Sequence, residues 1–111
     1  MGTRRGTRGP ALAAVLAAAA GACAGDGRAP ERHEIEIRAF VYAPAAQAAQ
    51  PGDTLVFVNH DPVPHTATAM DGSWDTGSIP ANGTRAVVVP KAGAYVCAIH
   101  PTMTGRVDTA K

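Results

Sequence analysis

From residue 34 onwards, the sequence consists of short stretches of β-forming residues separated by turn residues at regular spacing. Residues 34–38 alternate charged and apolar side chains, which places Ile35 and Ile37 on one face of a half-buried strand. Residues 45–50 lie between two prolines and are too few for a stable helix, so a loop or an edge strand is expected. This pattern favours an all-β fold, either an antiparallel sandwich or a barrel. The remaining predicted strand segments are 40–42, which extends the first strand, 54–58, 65–69, 84–89, 94–97 and 105–109.

The first 22 residues have the organisation of an export signal. Arg4, Arg5 and Arg8 precede an alanine-rich apolar run at 11–20 and then small residues, and this run is shorter than the roughly 20 residues of a membrane span. Two readings of the junction stay open, because Cys23 is either a lipidation site or the residue that follows a plain cleavage site. The Arg4-Arg5 pair likewise leaves Sec and twin-arginine export open. We therefore predict a signal peptide at 1–22, a flexible tether at 23–33 and one domain at 34–111.

Charge and composition exclude several classes of function. Loss of the three signal arginines leaves seven basic residues against nine acidic ones, so nucleic acid is not an expected partner. The sequence has no phosphate-binding glycine loop and no GxSxG or HExxH motif. The chain is therefore not expected to be an enzyme. Tyr42, Trp74 and Tyr95 are predicted to be core residues, and His33 is predicted to be solvated in the tether.

The segment from Cys97 to Met103 concentrates the chemistry. A thiol, an imidazole and a thioether occur at every third position, at Cys97, His100 and Met103, and Pro101 breaks the chain between them. Soft sulfur together with imidazole suits copper, and two histidines, one cysteine and a weak axial methionine make a blue-copper site. The alternative for each residue alone is ordinary packing, which leaves the spacing unexplained.

One imidazole is missing from this loop. His65 and His60 both lie upstream. His65 follows Pro62-Val63-Pro64, whose restricted backbone ends one strand and directs the next residue inward. His60 precedes that restriction and is expected to be exposed, so His65 is the predicted fourth ligand.

From about residue 40 to residue 107 the sequence resembles the cupredoxins, and among them the amicyanin and plastocyanin-like group. The resemblance rests on Pro51-Gly52-Asp53-Thr54, Val58-Asn59, Val63-Pro64-His65-Thr66, Ala92-Gly93 and the Cys-x-x-His-x-x-Met loop. The interval from Gly93 to Cys97 is two residues shorter than in relatives. A two-residue loss preserves strand alternation, so Cys97 is still expected to face inward.

The resemblance implies a Greek-key antiparallel β-sandwich with one type 1 copper ion per chain, held by His65, Cys97, His100 and Met103. It also implies that the Asn59 amide braces the ligand loops and that Pro101 packs beside the exposed edge of His100. The implied function is single-electron transfer between redox partners, and copper trafficking or storage in the cell envelope is the alternative. We expect an exported monomer, periplasmic or on the outer face of the envelope, whose only membrane attachment is a lipid at Cys23. Its transient protein partners are expected to dock near His100 on an apolar patch formed by Pro44, Val63, Pro64, Pro101 and Thr102.

Overall fold

The structure is a computed structural model that describes residues 28–109, so the predicted signal segment and Cys23 lie outside the described residues. Within 28–109 the regular elements are all strands, and no helix there could cross a membrane. The eight strands are β1 (Arg32–Arg38), β2 (Val41–Ala43), β3 (Ala46–Ala49), β4 (Thr54–Asn59), β5 (Thr68–Ala69), β6 (Thr84–Val88), β7 (Gly93–Val96) and β8 (Thr104–Thr109).

The strands form two four-stranded sheets, with orders β2-β1-β4-β6 and β3-β8-β7-β5. The predicted all-β sandwich is therefore confirmed, and residues 46–49 form the expected edge strand. The sheets are mixed and not wholly antiparallel, because β1 pairs with β4 and β3 pairs with β8 in parallel. Parallel neighbours need a crossover connection, which the chain provides by passing through the other sheet before it returns.

The core lies between the two sheets. Strand β1 buries Ile35 and Ile37, whereas Glu36 is half-exposed and Glu34 and Arg38 are exposed, as its period of two predicts. Tyr42, Trp74 and Tyr95 are also buried, which confirms their predicted core positions. Their rings pack with Phe57 into one aromatic cluster with centroid distances from 4.7 to 6.2 Å.

Residues 34–42 form two strands and not one, so the predicted extension of the first strand through 40–42 is wrong. The backbone is left-handed at Ala39 and Phe40, with φ of 50° and 64°, and β2 folds back antiparallel on β1. A left-handed conformation costs a non-glycine residue about 1–2 kcal/mol. The cost is offset by Asp61, whose carboxylate accepts hydrogen bonds from both backbone N–H groups of the turn, at 2.6 and 2.8 Å.

The segment before β1 is packed against the domain at Asp53, which is almost fully buried. The Asp53 carboxylate accepts hydrogen bonds from the Glu31 and Gln50 backbone N–H groups, lies 2.9 Å from His33 Nε2 and pairs with Arg28 at 3.0 Å. The prediction that His33 is solvated in a tether is therefore wrong, and β1 itself begins at Arg32. Local composition did not reveal this because the partner, Asp53, lies 20 residues further along the chain.

Candidate metal centre

The hairpin β7–β8 carries three of the four predicted ligands. Cys97 directly follows β7 and Met103 directly precedes β8, and these strands pair antiparallel up to Val96 and Thr104. The Cys97 N–H donates to the Met103 carbonyl at 3.1 Å, and the Met103 N–H donates to the His100 carbonyl at 2.9 Å. The loop is thus closed at its base, which explains how residues at every third position converge at one end of the sandwich.

His65 reaches this loop from the segment before β5. Its backbone forms a two-way antiparallel bridge with Ile79, with N···O distances of 3.1 and 2.7 Å. The His65 side chain is completely buried, whereas His60 is exposed, as predicted, and lies 3.6 Å from Glu36. The structure therefore brings His65, and not His60, to the cysteine.

Three donor atoms face one another at the centre of the site. Cys97 Sγ lies 3.8 Å from His65 Nδ1 and 3.8 Å from His100 Nδ1, and the two nitrogens are 3.2 Å apart. The point equidistant from these atoms lies about 2 Å from each, which is the length of a bond from a transition metal to nitrogen or sulfur. The residues present therefore fit a trigonal metal site, and their thiolate and imidazole donors suit one type 1 copper ion.

Two backbone N–H groups point at the cysteine sulfur. Thr66 N lies 3.3 Å and His100 N lies 3.4 Å from Cys97 Sγ. Both N–H groups are therefore placed to donate hydrogen bonds to a metal-bound sulfur. The Thr66 hydroxyl also accepts a hydrogen bond from the Ala98 N–H at 2.8 Å, which joins the His65 segment to the ligand loop a second time.

Asn59 connects the segments that surround His65. Its Nδ2 donates to the carbonyls of Val63, Ile79 and Pro80 at 2.9 to 3.2 Å, and its Oδ1 accepts the Asp61 N–H at 2.9 Å. The side chain is completely buried. It therefore lies where an amide can hold several loops together.

Asp61 and Phe40 also contact the candidate ligands, and the sequence did not single out either residue. Asp61 Oδ2 lies 2.8 Å from His65 Nε2, and the Phe40 ring lies edge-on to both histidines, with centroid distances of 4.9 Å to His65 and 4.8 Å to His100. One signal for Asp61 was available, because metal-binding histidines commonly donate their second ring N–H to a carboxylate or carbonyl, and Asp61 is the nearest acidic residue before His65. No local signal pointed to Phe40, since its contacts depend on the β1–β2 turn.

The charge state of Asp61 follows from its donors. Burial alone would raise the pKa of the Asp61 carboxyl, but hydrogen bonds from the Phe40 N–H, the His65 ring and the Ala39 N–H outweigh it and lower that pKa. Asp61 is therefore a carboxylate, and a carboxylate only accepts hydrogen bonds. The proton between the two side chains therefore belongs to His65 Nε2. The Nδ1 atom, on the side of Cys97, then carries a lone pair that can bind a metal.

The residues predicted to form a docking patch near His100 differ in exposure. His100 is half-buried, Pro44, Pro64, Pro101 and Thr102 are exposed, and Val63 is half-buried. Two large apolar side chains add to this end of the chain's surface: Phe40 is 45% exposed and Ile99 is 46% exposed.

Known structures share this fold. The chain is similar to a methionine-to-alanine variant of amicyanin in the Cu(I) form, with a TM-score of 0.61, 20% identity, and coverage of 71% of this chain and 82% of that one. It is also similar to the reduced Cu(I) form at pH 4 of a proline-to-glycine variant of amicyanin, with a TM-score of 0.62, 20% identity and coverage of 79% and 90%. No protein-family model and no curated protein matches the sequence. The fold is therefore the cupredoxin fold.

Proposed function

We propose that this protein is a type 1 copper protein that carries single electrons between redox partners. The observation that supports this most directly is the triangle of Cys97 Sγ, His65 Nδ1 and His100 Nδ1, whose sides of 3.8, 3.8 and 3.2 Å fit one metal ion. Met103 is buried at the end of the same loop and is the proposed weak axial ligand. Copper held by these residues would supply a one-electron Cu(II)/Cu(I) couple.

The protein's own contribution is to hold the donor atoms in one arrangement. The ligand loop is closed by two backbone hydrogen bonds, and His65 is fixed by its bridge to Ile79. We further propose that the Asn59 amide braces the loops around His65, since its hydrogen bonds join the segment of Asp61 and Val63 to that of Ile79 and Pro80. A donor set that does not rearrange between oxidation states keeps the barrier to electron transfer low.

We propose that electrons enter and leave at His100. This ligand is half-buried, whereas His65, Cys97 and Met103 are buried. We propose that Pro44, Val63, Pro64, Pro101 and Thr102 form the docking patch for partners, since Pro101 follows His100 directly and four of the five residues are exposed. Transient redox complexes use interfaces below about 1,200 Å², which a patch of this kind can supply. The proposed partners are therefore other redox proteins, which a monomer binds briefly.

We propose the cellular location from the export-signal pattern of residues 1–22. A signal peptide at 1–22 would export the protein to the periplasm or to the outer face of the envelope. Lipidation of Cys23 would then tether it to a membrane. Mass spectrometry of the mature chain tests this, because a diacylglyceryl mass on Cys23 and an unmodified terminus are distinct results.

A visible absorption spectrum and a voltammogram of the copper-loaded mature chain test the function. An electron carrier shows an intense blue band and a reversible one-electron wave. A copper-trafficking protein with the same ligands binds Cu(I) without a stable blue Cu(II) form. Absence of the blue band from a folded protein with one bound copper would overturn the proposed electron-carrier function.

A further inference from the structure

We propose that Asp61 is a positioning residue for the metal centre, which fixes the His65 ring and the Phe40 ring together through one buried carboxylate. The proposal rests on the copper function proposed above. It assigns to Asp61 two separate contacts, one with a ligand and one with the β1–β2 turn.

The first contact determines which nitrogen of His65 is free. Asp61 Oδ2 lies 2.8 Å from His65 Nε2, and the side chains are 8% and 0% exposed. A carboxylate in this position holds the proton on Nε2 and presents the lone pair of Nδ1 to the metal. Nδ1 is the atom that lies 3.8 Å from Cys97 Sγ. Without Asp61, the buried ring would have no charged acceptor to select that tautomer.

The second contact holds the left-handed turn. Asp61 Oδ1 accepts the Ala39 N–H and Oδ2 accepts the Phe40 N–H. Neither residue is a glycine, so the turn needs an external partner to keep φ at 50° and 64°. The conformation of this turn places the Phe40 ring edge-on to His65 and His100. Asp61 thus controls how much of the two histidine rings is covered.

The buried charge has a consequence for the redox equilibrium. A negative charge beside a ligand favours the higher oxidation state of a bound metal, because it interacts more strongly with the larger positive charge. Loss of the Asp61 charge is therefore expected to raise the reduction potential. A rise in potential that persists when the turn is restored would distinguish this charge from a purely structural role.

The test replaces Asp61→Asn and compares it with Asp71→Asn. Asparagine has nearly the same shape but only one acceptor oxygen, so it cannot serve all three donors of Asp61. Asp71 is exposed, pairs with Lys91 at the surface and lies outside the proposed centre, so its variant removes the same charge elsewhere. Of these two variants, only Asp61→Asn is expected to raise the reduction potential.

Nitrogen NMR of the copper-free protein provides a readout that does not need metal. The wild type is expected to show His65 protonated at Nε2 only, and Asp61→Asn is expected to show a mixture of tautomers. Ala39→Gly in the Asp61→Asn background relieves strain in the turn, so it should restore thermal stability and leave the tautomer mixture and the raised potential unchanged.

Three results would overturn the proposal. They are a wild-type His65 protonated at Nδ1, a folded Asp61→Asn variant with wild-type tautomer and potential, or a full return of the potential in the Ala39→Gly background. If Asp61→Asn does not fold, the wild-type NMR result still decides the tautomer. A copper-loaded wild type without a blue band would instead overturn the proposed function. The NMR data of the copper-free protein would still decide whether Asp61 fixes the His65 tautomer.

Discussion

The Thr66 hydroxyl oxygen lies 2.8 Å from the backbone nitrogen of Ala98, a residue 32 positions later in the chain. This hydrogen bond connects the residue after His65 to the residue after Cys97. The two segments that carry the nitrogen and sulfur donors are thus joined directly, next to the donor atoms themselves.

Replacement of Thr66 tests this connection. Thr66→Val keeps the shape of the side chain but leaves the Ala98 N–H without its acceptor, which is expected to cost about 1–3 kcal/mol of unfolding free energy. Thr66→Ser retains the hydroxyl and should lose much less. Chemical denaturation of the copper-free protein measures both, and equal losses in the two variants would contradict the role of the hydrogen bond.

The two upstream histidines are expected to respond differently to alanine. His65→Ala removes a donor atom from the triangle and should abolish the blue band or open the site to added imidazole. His60→Ala changes only an exposed side chain beside Glu36 and should leave the spectrum as it is. Spectra recorded after identical copper addition compare them. Bleaching by His60→Ala would mean that the ligand assignment in this segment is wrong.

The proposed axial role of Met103 is tested by Met103→Gln, with Met70→Gln as the matched control. Met103 is 3% exposed and Met70 is 66% exposed. A harder oxygen donor at position 103 should keep the protein blue and lower its reduction potential. The same substitution at position 70 should leave the potential unchanged. An unchanged potential in Met103→Gln would indicate that Met103 only fills the core.

The two buried tyrosines form a matched pair for phenylalanine substitution. The Tyr42 hydroxyl donates to the Thr66 carbonyl at 2.5 Å, whereas the Tyr95 hydroxyl has no hydrogen-bond partner among the described residues. Tyr42→Phe should therefore cost about 0.5–1.5 kcal/mol, and Tyr95→Phe should be neutral or stabilising. Thermal melts of the copper-free variants compare their stabilities. A larger loss of stability in Tyr95→Phe than in Tyr42→Phe would contradict the prediction.

Asp53 is expected to make stability depend on pH. Burial alone would raise its pKa, but hydrogen bonds from the Glu31 and Gln50 N–H groups, His33 and Arg28 hold that pKa well below its usual range. An acid whose pKa is lowered by folding adds stability above its unfolded pKa of about 4 and loses it as the pH falls further.

Asp53→Asn should therefore destabilise the copper-free protein at neutral pH, and the difference from wild type should shrink below about pH 4. Glu34→Gln, which removes the same charge from an exposed position of β1, should show little difference at any pH. Unfolding midpoints measured across this range test the prediction. A difference that stays constant down to acidic pH would show that Asp53 acts without its charge.

Much of the fold and the metal-binding loop could be predicted from the sequence. The period of two at Ile35 and Ile37 and the turn residues between strands report which segments are extended, because burial of one sheet face imposes that alternation directly on the chain. The spacing of Cys97, His100 and Met103 is equally local. A hairpin loop of that length brings its own residues together wherever the hairpin lies.

The tertiary structure alone decided the surroundings of that loop. Asp61 lies 21 and 22 positions from the turn that it holds and would ordinarily be read as an exposed loop residue. Its burial, the break of the strand at Ala39 and the position of Phe40 over two histidines all depend on how segments from both sheets meet. Hydrogen bonds between residues distant in sequence can compensate a strained backbone and a buried charge, and no local pattern in the amino-acid sequence contains them.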